Sequence, residues 1–340
     1  MRFIVFIITL MLLNPCFATI SNQKLIGSHL IIGINHYPVH PTWLKFIKEN
    51  NISGVIFLSD AYKNAKNVKE AIDTIKKNTN HPMYFCIDQE GGRVSRIKEN
   101  MIEVPPASHV ATTLTPSEAF DLYQKQANNL VNIGINVNFS PVLDILNHED
   151  NNVIGSRSFG VSADTVFEYA KQVINASLMN GVLPVAKHFP GHGYTYLDSH
   201  FEMPVHNNLS QLLNNDLIPF KKSIAIGVPA IMVAHILYPD LDNTHPASLS
   251  KTIVTDLLKK KLRFKGLVFS DDLAMGAIKK KYRIDNALRQ TLKAGVHQAI
   301  IIETLPVLKH IIQSISKTLD SNISFKDSLK ENIITIQAYK

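Results

Sequence analysis

Eight short apolar runs recur along the chain, at 30–34, 54–58, 83–87, 136–139, 183–186, 230–234, 267–269 and 299–302, and most lack polar residues at alternate positions. A strand with one wet face alternates; a strand covered on both faces does not, which is the condition of a parallel sheet flanked by helices. Longer amphipathic stretches fill the intervals, at 67–78, 116–133, 163–179, 209–226 and 284–294, and Ser117 in Thr115-Pro116-Ser117-Glu118 reads as a helix start. About eight β and α units in 340 residues predict an α/β protein with a (β/α)8 TIM-type barrel. Neither a Ser/Gly/Pro-rich linker nor an internal repeat divides the chain, so 19–340 is expected to be a single domain, with a last helix over 324–340.

The first residues read differently. Arg2 precedes an apolar run from Phe3 to Leu13, followed by Pro15 and the small-residue stretch around Cys16-Phe17-Ala18. This pattern predicts a signal peptide over 1–18, removed near Ala18, and an exported protein, periplasmic or secreted. The run is about half the ~20 apolar residues that span a bilayer, so no stable membrane span is expected. Acylation of Cys16 is the alternative, disfavoured by Asn14 and Pro15 before it. Loss of 1–18 would leave Cys86 as the single thiol, a small buried hydrophobe in the third run. The net charge of +7 suits anionic surroundings such as wall polymers. The triplets Lys259-Lys260-Lys261 and Lys279-Lys280-Lys281 lack interleaved aromatics and read as solvated helix faces, so no nucleic-acid partner is expected.

Polar groups concentrate just after the apolar runs, where a barrel would expose them on one rim. Asp88-Gln89-Glu90-Gly91-Gly92-Arg93 follows the third run and Ser140-Pro141-Val142-Leu143-Asp144 the fourth. The fifth leads into Lys187-His188-Phe189-Pro190-Gly191-His192-Gly193 and then Asp198-Ser199-His200, which Pro190 and its glycine neighbours keep from being helical. His235 closes the sixth run, and Ser270-Asp271-Asp272 the seventh. Carboxylates, imidazoles and cations converging from distant segments are the makings of a sugar or phosphate site.

These motifs together resemble the β-N-acetylhexosaminidases of glycoside hydrolase family 3, in the single-domain bacterial form associated with peptidoglycan recycling. The resemblance runs through DQEGGRVSR from Asp88, SPVLDI from Ser140, IGSRSFG from Ile154, KHFPGHG from Lys187 with DSH from Asp198, and FSDDLAM from Phe269. KHFPGHG with DSH separates this branch from the family's β-glucosidases. The resemblance implies an exo-acting, retaining β-N-acetylglucosaminidase that works through a covalent glycosyl-enzyme, without cofactor or metal.

By the same resemblance Asp271 is the nucleophile and His200 the acid and base, with Asp198 as its partner. An imidazole, with an ordinary pKa of ~6.5, can give a proton and later take one near neutral pH. Asp198 would hold the other ring nitrogen and favour the imidazolium. Asp88, Arg96, Arg157, Lys187 and His188 are implied as substrate-binding residues. Glu90, Arg93, Asp144 and His192 read as groups that brace others, Asp272 as a helix cap, and His235 as either a barrel histidine or a rim contact.

Three rival readings follow from the same residues. His188, His192 and His200 could surround zinc, but their spacing fits no common zinc pattern and Lys187 would repel a cation. A neutral histidine base also tolerates phosphate as the acceptor, which would make a glycoside phosphorylase. A non-catalytic muropeptide-binding envelope protein would not need Asp271, Asp198 and His200 together. The expected partner is a small carbohydrate, a muropeptide or chitooligosaccharide, bound by a monomer.

Overall fold

A computed structural model describes residues 20–148, 151–195 and 197–340. The proposed signal peptide and its cleavage site therefore lie outside the described residues, apart from which no helix among those described is long and apolar enough to cross a membrane.

Eight parallel strands close into a barrel, each hydrogen-bonded to its neighbours in chain order and the last to the first. They are β1 (Leu30–Ile34), β2 (Gly54–Phe57), β3 (Tyr84–Ile87), β4 (Val137–Asn138), β5 (Leu183–Phe189), β6 (Ala230–Val233), β7 (Leu267–Asp272) and β8 (Gln298–Ile301). The expected (β/α)8 architecture is present, with every apolar run in the barrel wall. Ile31, Ile56, Tyr84, Cys86, Val185, Met232, Phe269 and Ile300 fill the interior, while the alternate positions pack outward against the helices. Each such side chain contributes roughly 1.5–3 kcal/mol by leaving water.

Four departures from the sequence reading have local causes. β4 has only two residues, because the Asn138 side chain turns to the backbone of Gln89, accepting from its N–H at 3.0 Å and donating to its carbonyl at 3.0 Å. β5 continues through polar Lys187 and His188 to Phe189, since both side chains find buried partners. The helix expected over 209–226 is broken into Leu209–Gln211, a wider π turn at Leu212–Asp216, and Ile218–Ala225. Thr115, not Ser117, caps the helix Pro116–Asn132, exchanging hydrogen bonds with Glu118 in a capping box.

The final helix, Ile323–Ala338, closes the amino-terminal end of the barrel, where Tyr84 donates its hydroxyl to Ile336 O at 2.7 Å. The opposite end is the mouth, and the polar clusters stand there.

Candidate active site

The turn after β3 folds back as a two-stranded hairpin, Gln89–Gly91 against Val94–Ser95. Gly92 supplies the left-handed turn at φ +54, and Gly91 at φ +119 approaches Pro105 O too closely for a Cβ. The buried Gln89 amide pins the hairpin, accepting from Arg96 N at 2.8 Å and Ile97 N at 3.1 Å and donating to Ile97 O at 2.9 Å. This pin sets the directions of Asp88, Glu90 and Arg96.

Those side chains meet cations from two other segments. Lys187 Nζ donates to Asp88 Oδ1 at 2.8 Å and lies 2.7 Å from Glu90 Oε1. Arg157, in the turn Gly155–Arg157, takes Glu90 as a fork, Nε to Oε2 at 2.8 Å and Nη2 to Oε1 at 2.7 Å. Burial opposes the charge of Glu90, but Arg157 and Lys187 outweigh it and hold the carboxyl well below its ordinary range. Burial likewise disfavours the Lys187 ammonium, and Asp88 with Glu90 raises it above its usual value. Arg96 Nη2 stands 3.7 Å from Asp88 Oδ2, and Arg96 Nε is buried with no partner among the described residues. Arg93 is turned away, donating to Asn152 O and Val153 O at 2.6 Å each and so bracing the segment that carries Arg157.

Asp144 organises the end of β5. It accepts from His188 Nδ1 at 2.6 Å and from the His192 amide at 2.7 Å. With Nδ1 donating, His188 keeps Nε2 for another partner. Burial works against the Asp144 charge, yet His188 and the His192 amide bring its pKa below the ordinary value.

At the tip of β7, Asp271 Oδ1 accepts from the Asp272 amide at 2.8 Å. Burial opposes its ionisation, but the imidazoles of His235 and His188, that amide and Lys187 push the pKa down to about 2. His235 is wholly buried and donates from Nε2 to Asp272 O at 2.9 Å, which leaves Nδ1 to accept from Ser248 Oγ at 2.7 Å. It is a satisfied barrel histidine, and burial lowers its pKa and keeps it neutral. Its effect on Asp271 at neutral pH is therefore that of an oriented neutral ring. Asp272 braces the turn, accepting at Oδ1 from Ala274 N and Ile302 N, each at 3.0 Å. Its pKa rises to about 6, first through burial and then through Asp271 and Glu303.

The Asp198–His200 pair stands on the loop after β5. Asp198 Oδ1 accepts from His200 Nδ1 at 2.7 Å and from the His200 amide at 2.8 Å, while the imidazole remains 61% exposed. Partial burial opposes the Asp198 charge, and these His200 contacts bring its pKa below the ordinary value. The loop is tied down on both sides. His192 bonds Thr195 Oγ1 at 2.8 Å and Ser199 Oγ at 3.4 Å, and the amides of Gly276 and Ala277 donate to His200 O at 3.0 Å and Ser199 O at 3.1 Å.

All eight residues singled out from sequence thus stand at one mouth: Asp88, Arg96, Arg157, Lys187, His188, Asp198, His200 and Asp271. His188, His192 and His200 belong to no group of three or more side chains able to hold a metal among the described residues. Sequence reasoning passed over Gln89, Ser199, Ser248 and Gly276, which hold the others in place. Only Gln89 and Ser199 carried a signal, as the middle residues of conspicuous acidic and histidine motifs.

The profile of the glycosyl hydrolase family 3 N-terminal domain matches residues 36–336. The chain belongs to glycoside hydrolase family 3. This family 3 chain is 33% identical over 257 residues to a β-hexosaminidase of Nitrosomonas eutropha, covering 74% of it and 73% of that relative. It is 37% identical over 233 residues to the β-hexosaminidase LpqI of Mycobacterium tuberculosis, covering 66% of it and 60% of LpqI. The solved family 3 β-N-acetylglucosaminidase of Paenibacillus sp. str. FPU-7 superposes with a TM-score of 0.87 at 30% identity, covering 94% of this chain and 62% of that one. The family 3 protein described here is a glycoside hydrolase of the β-N-acetylhexosaminidase type.

Proposed function

We propose that the enzyme, over residues 19–340, is an exo-acting, retaining β-N-acetylglucosaminidase that removes non-reducing terminal N-acetylglucosamine from peptidoglycan fragments or chitooligosaccharides. One observation carries this reading: an Asp271 carboxylate kept ionised at the tip of a rigid strand, with the Asp198–His200 pair tied to the turn that follows it.

In the first step Asp271 attacks the anomeric carbon while protonated His200 gives the Nε2 proton to the departing glycosidic oxygen. Asp198 accepts from Nδ1 and stabilises the imidazolium. In the second step the neutral Nε2 takes a proton from water, whose oxygen displaces Asp271 and restores the carboxylate. Asp88, with its paired Lys187, and Arg96 would hold the sugar hydroxyls, and Arg157 and His188 Nε2 the remaining hydroxyl and acetamido oxygens. The unpartnered buried Nε of Arg96 supports that assignment, because a ligand oxygen would satisfy it. The enzyme would act as a monomer, since one chain supplies every group, and the apolar run from Phe3 to Leu13 supports an exported enzyme, periplasmic or secreted.

The test is turnover of 4-nitrophenyl β-N-acetylglucosaminide with the configuration of the first-formed sugar followed by NMR. A β product, and loss of at least about 10³ in kcat for Asp271→Ala, are expected. An α product, or an active Asp271→Ala, overturns the reading. A neutral His200 base would not repel phosphate as a carboxylate base would, so the pair also tolerates phosphorolysis, and a rate increase with added phosphate, giving the sugar 1-phosphate, would establish it.

A further inference from the structure

Trp43 is the only tryptophan of the chain. It is half-buried, packed on one side against the core, and lines a cleft of about 310 Å³ with Asn35, His36, Ile302, Glu303 and Thr304. Asn35 and His36 follow β1, and 302–304 follow β8, so the cleft opens on the same rim as Asp271. The two sites share a wall. Ile302 donates its amide to Asp272 Oδ1 at 3.0 Å, and Leu273 N donates to Ile300 O at 2.9 Å. With neighbouring strands ~4.8 Å apart, the cleft begins about 5–10 Å along the rim from Asp271.

The chemistry of the lining selects among ligands. An indole offers a flat electron-rich face, which suits the axial C–H groups of a β-linked pyranose, while the polar edge around it meets the equatorial hydroxyls and acetamido group. Glu303 is ion-paired with Lys279 at 2.6 Å, so its charge is compensated. Thr304 begins the 17-residue helix Leu305–Ser321 and makes no side-chain cap, leaving first-turn amides for an outside oxygen. A neutral saccharide fits these groups better than an anionic or cationic chain.

We propose that this cleft is a leaving-group subsite, taking the third sugar of a β-linked N-acetylglucosamine oligomer with Trp43 as the stacking platform. The assignment rests on Asp271 being the reaction centre. Nothing in the mechanism above uses Trp43, and shorter substrates would not reach it.

Because Trp43 is the sole tryptophan, its emission reports the cleft directly. Chitotetraose added to the full-length Asp271→Asn protein should shift or quench that emission saturably, and N-acetylglucosamine alone should not. Trp43→Ala should lower kcat/KM on chitotetraose about tenfold, mainly through KM, and leave the 4-nitrophenyl substrate within twofold. Trp43→Phe should retain most of the oligosaccharide rate. Normal aryl-substrate turnover certifies that the variant is folded. Unchanged emission at chitotetraose concentrations that inhibit aryl hydrolysis overturns the proposal, as do equal losses on both substrates. A loss confined to muropeptides with a peptide stem also overturns it, since the cleft would then take peptide. A wild-type enzyme inactive on every glycoside would instead refute the role of Asp271, and the emission titration would still decide the cleft.

Discussion

The amide of Gly276 donates to the carbonyl of His200 at 3.0 Å. The loop bearing the imidazole therefore rests on the turn that begins at Asp271, and one contact couples two groups 71 positions apart in sequence. An exposed pair such as Asp198–His200 would gain little rigidity from its own hydrogen bond, because exposed ion pairs contribute about 0–1 kcal/mol. Backbone contacts on both sides of the loop supply what the pair itself does not.

Gly276 is the position where this coupling can be tested. A Cβ there would lie 2.6 Å from both His200 O and Phe201 O, and both are backbone atoms that cannot turn aside. Gly276→Ala should push the loop outward by a fraction of an ångström and lower kcat about 10- to 100-fold, since small misplacements of a proton donor are costly. Global stability should fall by no more than about 2 kcal/mol. Activity on 4-nitrophenyl β-N-acetylglucosaminide, measured beside the urea midpoint, checks this; wild-type kcat would refute the coupling.

Asp198 fixes the ring of His200 by accepting from both its Nδ1 and its backbone amide. Asp198→Ala removes that acceptor, so the imidazole can rotate away from the leaving oxygen and kcat on 4-nitrophenyl β-N-acetylglucosaminide should fall about 10- to 100-fold. A wild-type kcat would mean that the loop alone orients the ring.

The barrel was legible because burial on both faces leaves an unbroken apolar run, a pattern that no distant contact is needed to explain. β1 occupies 30–34 as read, whereas β4 shrank because the partner of Asn138, the Gln89 backbone, stands 49 positions away. The same limit explains the site. Its members were conspicuous as motifs, but Lys187 meets Asp88 across 99 positions and Arg157 meets Glu90 across 67, pairings that local spacing does not encode. His235 is compatible with two roles in sequence, and Ser248 and Asp272 at its two nitrogens, 13 and 37 positions away, decide between them. Gly276 was invisible for a further reason: its requirement is the space taken by another loop, not a positive φ of its own.

Glu90 joins two buried cations, and removing its charge should expose that role. In Glu90→Gln, Lys187 keeps only Asp88 and Arg157 loses its carboxylate fork. Breaking such a buried arrangement costs on the order of 3 kcal/mol, or a Tm lower by about 5–10 °C. The pH sign is fixed by the depressed folded-state pKa of Glu90. Its contribution is full above the unfolded carboxyl's value of ~4.3 and is lost as pH falls through the lower folded value. Wild type and variant should therefore differ at pH 7 and converge in strong acid; calorimetry across that range checks it, and a constant difference would assign the loss to packing.

Asp272 should show the opposite sign. Its folded-state pKa is raised to about 6 by burial and by Asp271 and Glu303, above the ~3.9 of an unfolded aspartate. The folded protein thus binds the extra proton between those values, and stability declines as pH rises from about 4 to 6. Beyond that window the ionised carboxylate carries its full penalty. Asn keeps one oxygen to accept from Ala274 N and Ile302 N but has no charge to desolvate. Asp272→Asn should therefore be more stable than wild type by about 1–3 kcal/mol at pH 7.5 and equal to it near pH 4. Urea midpoints at the two pH values decide the matter. An equal gain at both would trace it to packing, and destabilisation at pH 7.5 would mean that the two amides require a carboxylate.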